Sequence, residues 1–333
     1  MNDIASVRKP YRPAEPLTVA PIGQWPWNTK AIGKWLFSFP GYLWPYNLFL
    51  LGVTAATWAW LTPSLAGMET FEAWWVGVIL ARNAGLILLW FGGLHLFFYV
   101  FKGQGDELNM LNRPPTARSK RFLFKRQSFE NAFLTLVFAV PVITAYEAVT
   151  YWAFANGYLN VFGIAPGGTA FWVWFVVLAL AAPFIHAIHF YLGHRLLHVP
   201  LLYRKFHALH HKNVDVGPWS GLSMHPVEHI IYFSTICVQW ALCAHPVNAL
   251  FQLQIAALYP ALGHAGHDKL KLGQKLAIDG GAYFHYLHHK YFECNYGGSL
   301  LPLDKFFGTF HDGTDEAQAR LRERLREQRR GAA

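Results

Sequence analysis

Residues 169–211 read TAFWVWFVVLALAAPFIHAIHFYLGHRLLHVPLLYRKFHALHH. The run from Thr169 to Phe190 is long enough to cross a bilayer, which takes about 20 apolar residues. It flows, as one helix or a close neighbour, into His194-x3-His198 and then His207-x2-His210-His211. A third group, His285-x2-His288-His289, repeats the spacing of the second. Imidazoles at i, i+3 and i+4 share one face of a helix, about 5–6 Å apart at Cβ. Neutral imidazole suits Fe, Zn and Cu. Eight histidines in three such groups exceed what one tetrahedral ion takes. The spacing therefore predicts a two-metal centre next to the end of a membrane span.

The rest of the 333-residue chain fits that setting. It is 53% apolar and 17% aromatic with only 14% charged residues, against about 25% charged in a soluble domain. Further spans are read over 42–61, over 74–101 with Arg82 and Asn83 facing protein or snorkelling, and over 133–155 with a kink at Pro141. The apolar stretch 230–262 is broken by His245-Pro246 into halves too short for straight spans, and reads as a re-entrant or tilted hairpin. The predicted fold is an all-α integral membrane protein. It has about four transmembrane helices plus the short hairpin, and a cytosolic helical cap holds the His-rich dimetal site.

Domain organisation follows. Residues 1–40, with Trp25, Trp27, Trp35 and Phe37 among Lys30 and Lys34, form an interfacial segment whose first ~20 residues are disordered by composition. Residues 41–192 are membrane helices around the basic loop 102–126, and short loops rich in Lys and Arg stay cytoplasmic. Residues 193–313 are the histidine-rich catalytic region with the hairpin inside it, and 314–333 a basic, solvated helical tail. The N-terminus and the catalytic face are then cytoplasmic. Cys237, Cys243 and Cys294 follow no pairing pattern and are read as reduced. The basic loop beside two spans belongs to membrane topology, and nucleic acid is not a partner.

Other histidines are graded by spacing. His264 and His267 form H-x2-H just before the third cluster and read as a fourth ligand pair. His225, His229, His186 and His189 are open between outer ligation, hydrogen bonding to ligands and ordinary packing. His95 stands alone, His245 reads as a turn residue and His311 as exposed. A ligating imidazole needs an acceptor for its far nitrogen; Glu228 and Asp304 are the first acidic residues to consider. Asn295-Tyr296-Gly297 reads as a tight turn. No Glu-x-x-His occurs, so ligation would be almost all imidazole. The clustered count in a membrane setting points to two Fe ions using O2 as co-substrate, with Zn able to take the same nitrogens in purified protein.

These blocks resemble the fatty acid hydroxylase/sterol desaturase superfamily of integral-membrane di-iron oxygenases, over roughly 185–313. The motifs that carry the resemblance are HRLLH at 194–198, LYRKFHALHH at 202–211, MHPVE at 224–228, HYLHH at 285–289, NYGG at 295–298 and LDKFFGT at 303–309. The chain departs at Ala187, where the family often has Asp, and at Leu303, where a Trp is common. The resemblance implies four membrane helices under a cytosolic cap and O2-dependent hydroxylation or desaturation of an unactivated C–H bond. The substrate would be lipid-like: a sterol, a fatty acyl chain or a related apolar molecule. The chain carries no G-x-G-x-x-G, cysteine cluster or His-Pro-Gly-Gly, so electrons must come from a ferredoxin, a cytochrome b5-like protein or another reductase. The competing readings are a membrane zinc hydrolase and a divalent-metal transporter or binding protein.

Overall fold

A computed structural model describes residues 11–111, 113–159 and 162–331. The first ten residues of the expected disordered leader lie outside that set. Its remainder is held in place: the Tyr11 hydroxyl donates to Asp268 (2.8 Å), Leu17 N–H to Asp312 O (2.9 Å) and Ala20 N–H to Ser299 O (2.8 Å). Disorder by composition is corrected from Tyr11 onward, because these partners come from far along the chain. Helix α1 (Thr29–Phe37) follows, started by the Asn28 side chain accepting from Ala31 N–H, with Trp25, Trp27 and Phe37 exposed.

Four helices come next: α2 (Leu48–Leu61), α3 (Ala73–Val100), α4 (Gln127–Ala155) and α5 (Thr169–Leu197). The last three are long and apolar enough to cross a membrane; α2, with 14 residues, is shorter than a straight crossing needs. The start expected at Tyr42 moves because Trp44, the residue before Pro45, is extended (φ −107°, ψ 140°). In α4 the helix runs on past Pro141, and a π turn over Thr135–Ala139 precedes the ring that lacks an N–H. Arg82 and Asn83 face protein: both bond Glu147, and Arg82 also reaches Thr62. Three buried side chains so pair with one another between α3 and α4, the Arg82 Nε alone among their atoms being left without a partner.

The chain then forms α6 (200–211, wound through a π turn at Tyr203–His207), α7 (Pro226–Phe233), α8 (Ile236–Leu242) and α9 (Pro246–Gly263). His245 starts α9 by accepting from Val247 N–H. The second half of the expected hairpin, α9, is the central helix, packed on α2, α3, α4 and α5 and buried along nearly its whole length. That explains an apolar stretch too short to be a span. Its polar residues are answered: Gln254 bonds Thr54 and Thr57, Gln252 bonds Thr235, and Asn248 bonds the Phe175 carbonyl.

After α9 the all-helical expectation fails. Lys269–Leu272 (β1) and Leu276–Asp279 (β2) pair antiparallel, turning at Gly273 (φ 75°). The alternation of KLKLGQKLAID carried that signal. Helices α10 (Ala282–Tyr291), α11 (Leu303–Phe306) and α12 (Asp315–Gly331) complete the molecule. Arg324 of α12 donates to the carbonyls of Gly308 and Glu293, tying the tail to the loop after α10. His311, expected exposed, is buried and bonded to Gln318.

Candidate metal centre

Nine imidazoles converge in two adjacent groups. The first is His194, His198, His207, His211 and His288; the second is His210, His264, His285 and His289. Within each group the ring nitrogens lie within 4.8 Å of one another. Neighbours in the chain are divided between them. His207 and His211 serve the first group while His210 serves the second; His285 and His289 serve the second while His288 serves the first. Helical geometry dictates this. Residues four apart lie nearly one above the other, and adjacent residues point about 100° apart. An H-x2-H-H run on one helix thus feeds two neighbouring points, and two such runs facing each other close both.

The contact distances fit a cation in each group. His289 Nε2 lies 3.1 Å from Nε2 of His210 and of His285, and 3.2 Å from that of His264. His211 Nε2 is 3.1 Å from both His198 and His288, and His194 Nε2 is 3.0 Å from His207. A ring nitrogen carries one proton or one lone pair, so it cannot satisfy three neighbours of its own kind. The far nitrogens fix which it is. Nδ1–H of His194 donates to Tyr296 O (2.6 Å), that of His288 to Cys294 O (2.7 Å) and that of His264 to Pro260 O (3.0 Å). Nδ1–H of His207 donates to Glu228 Oε1 (2.7 Å). In these four rings the proton sits on Nδ1 and the Nε2 lone pair points inward, and lone pairs about 3 Å apart repel unless a positive ion stands between them. The residues fit metal ions at both points. Burial pushes the imidazoles of His207, His210, His211, His285, His288 and His289 far below their usual range, and the neighbouring rings add to it. All are neutral and ready to ligate at pH 7.

Several expected residues stand elsewhere. His267 belongs to neither group: its ring stacks on Phe98 at 4.5 Å. The helical i, i+3 premise fails there because α9 ends at Gly263 and the chain turns at Gly266 (φ 75°). His225 caps α7 by accepting from Val227 N–H, and His229 is buried against Phe233. His186 and His189 sit on the wall of a cavity, His189 paired with Ser234 (2.9 Å). His95 leans on Tyr99, outside both groups. Of the two carboxylates, Glu228 meets an imidazole and Asp304 does not. Asp304 accepts from Tyr296 N–H, Gly297 N–H and Thr309 Oγ1, and so fixes the loop whose Tyr296 carbonyl takes the His194 proton. The carbonyls of Tyr296, Cys294 and Pro260 escape sequence reading because every residue has one.

A cavity of about 270 Å³ leads to the centre. It is lined by His194, His207, His210, His264 and His285 together with Trp35, Tyr42, Tyr46 and the loops at Gly280 and Ser299. Pro183, Phe190, Met224, Ile231 and Tyr232 give it an apolar wall.

The fatty acid hydroxylase family model matches residues 179–309, the stretch that supplies all nine imidazoles. The family model and the sterol desaturase relatives support a place for the chain in the fatty acid hydroxylase/sterol desaturase superfamily. It is 26% identical to a Delta(7)-sterol 5(6)-desaturase of Gibberella zeae over 68% of this chain and 69% of that one. It is 25% identical to the Saccharomyces cerevisiae Delta(7)-sterol 5(6)-desaturase over 80% and 68%. Similarity to methylsterol monooxygenase 2-2 of Arabidopsis thaliana is 30% over 36% of this chain and 47% of that one. No solved structure matches the chain. The family match, the sterol-modifying relatives and three membrane-length helices support an oxidoreductase that acts on lipids in a membrane.

Proposed function

We propose that the protein hydroxylates or desaturates an unactivated C–H bond of a lipid-like substrate, using O2 and two iron ions held by the nine imidazoles. The convergence of Nε2 lone pairs at an apolar cavity carries this reading. Iron there would supply O2 activation and attack on the C–H bond; zinc can occupy the same nitrogens in isolated protein. The chain's own part is positional. Glu228 and the carbonyls of Tyr296, Cys294 and Pro260 hold four rings in the ligating tautomer. Phe190 and Tyr232 hold the substrate body and keep water out.

The two reducing electrons come from an external donor, a ferredoxin or a cytochrome b5-like protein. The catalytic face, with the N-terminus, lies on the cytoplasmic side, where the basic loop 102–126 stays. Hydrolase and transporter readings need neither O2 nor reductant. Purified protein is assayed for iron and zinc content, then for turnover of membrane lipid extract with and without O2 and reduced ferredoxin. Products gaining one oxygen or losing two hydrogens, formed only with iron, O2 and reductant, are expected. O2-independent turnover would overturn the assignment.

A further inference from the structure

The cavity wall holds polar atoms that the metal centre does not use. The Tyr46 hydroxyl is shielded from solvent and its O–H meets no acceptor, the Trp90 indole N–H that approaches its oxygen being a donor only; His186 Nδ1 is shielded likewise and has no partner. Both residues line the cavity. Their neighbours are already committed: the Tyr232 hydroxyl donates to Ala256 O, Tyr42 to Leu180 O, and Trp90 Nε1–H to Leu258 O. Tyr259 packs against Tyr46 at 5.5 Å and Tyr232 against His186 at 5.7 Å, in each case without a hydrogen bond to the orphaned atom. A buried polar group without a partner costs about 1–3 kcal/mol, so its retention in an otherwise apolar wall asks for a partner that arrives later. Among the described residues no Lys or Arg lines this cavity, while Glu228 and Asp279 do. Away from the imidazoles, an anionic head therefore finds no side-chain counter-charge inside it.

We propose that Tyr46 and His186 form a polar subsite for one neutral oxygen function, a hydroxyl, on an otherwise apolar substrate. The phenol donates to the substrate oxygen, and the substrate O–H donates to the imidazole. The subsite rests on the oxygenase reading above and narrows its substrate to a neutral alcohol rather than a fatty acid anion. It also sets the geometry. His186 precedes His194 by two turns of α5, about 12 Å along the axis, so the carbon under attack is well removed from the hydroxyl.

The test uses the full-length protein in phospholipid nanodiscs, without turnover. Binding of cholestanol against cholestane, octadecanol against octadecane, and oleate is measured by equilibrium competition. At least one alcohol binds about tenfold or more tightly than its hydrocarbon. Tyr46→Phe keeps the ring against Tyr259 and weakens that alcohol about 3- to 10-fold while leaving the hydrocarbon unchanged. His186→Phe has the same selective effect. Equal binding within both pairs, no binding by either alcohol, preference for oleate, or equal losses for alcohol and hydrocarbon in the variants would overturn the subsite. Iron content and O2-dependent turnover of the same preparations report on the oxygenase reading separately. A preparation that turns over lipid with iron and O2 yet shows no alcohol preference defeats the subsite alone.

Discussion

Replacing Glu228 by Leu should empty one of the two metal points and spare the other. Glu228 Oε1 takes the Nδ1 proton of His207 at 2.7 Å, and both side chains are buried. Leucine keeps the volume but leaves that N–H unpaired in a water-free site, a cost of about 1–3 kcal/mol. The buried ring relieves it by turning or by moving its proton to Nε2, and either change removes a ligand. Iron affinity at the five-imidazole group should fall about 5- to 150-fold, while the group of His210, His264, His285 and His289, which lacks His207, keeps its ion. Glu228→Gln retains an oxygen acceptor and should lose tenfold or less. The assay is iron titration against a competing chelator, with bound iron counted per protein. Stoichiometry should drop from two to one in the Leu variant at chelator strengths that leave wild type full. If the Leu variant retained both ions with wild-type affinity, the claim that Glu228 fixes the ligating tautomer would be wrong.

His289→Ala should release iron from the four-imidazole group and abolish O2-dependent turnover, because its Nε2 is the one shared by three neighbours; full activity in that variant would remove the site assignment. Metal-free protein should lose stability as pH falls below about 6.5. The folded-state values of the buried imidazoles lie below the unfolded value, so the unfolded chain binds more protons there, and the loss continues down toward the depressed values. Thermal midpoints between pH 8 and pH 5 check this, and a flat profile would refute it. Arg82→Met or Glu147→Leu alone should cost about 3–5 kcal/mol, since each strands a buried charge, whereas the double variant should recover much of the loss. Unfolding in mild detergent reads it, and harmless single changes would show that the pair contributes nothing.

Legibility followed the range of the interaction. Where residues lie four positions apart on one helix, spacing carries the placement: His194/His198, His207/His211 and His285/His289 each fall in one group, while His210 and His288 of the same runs fall in the other. Where the premise of a helix failed, so did the inference, as at His267 beyond the end of α9. Tyr296, Cys294 and Pro260 act through carbonyl oxygens, which residue identity does not encode. Asp304 was singled out as an imidazole partner and instead works one step removed, through the backbone it anchors.

The order of residues alone determined that this chain is mostly helical, enters a membrane and bunches its imidazoles at helical intervals, because apolar run length and i, i+4 spacing are local properties. Only the tertiary structure decided how those imidazoles divide. Two H-x2-H-H helices must face each other at a particular rotation before His210 joins His289, and His211 joins His288. The same folding brings Tyr46, His186, His189, His210 and Glu228, each with a buried polar atom left unanswered, to the wall of one cavity.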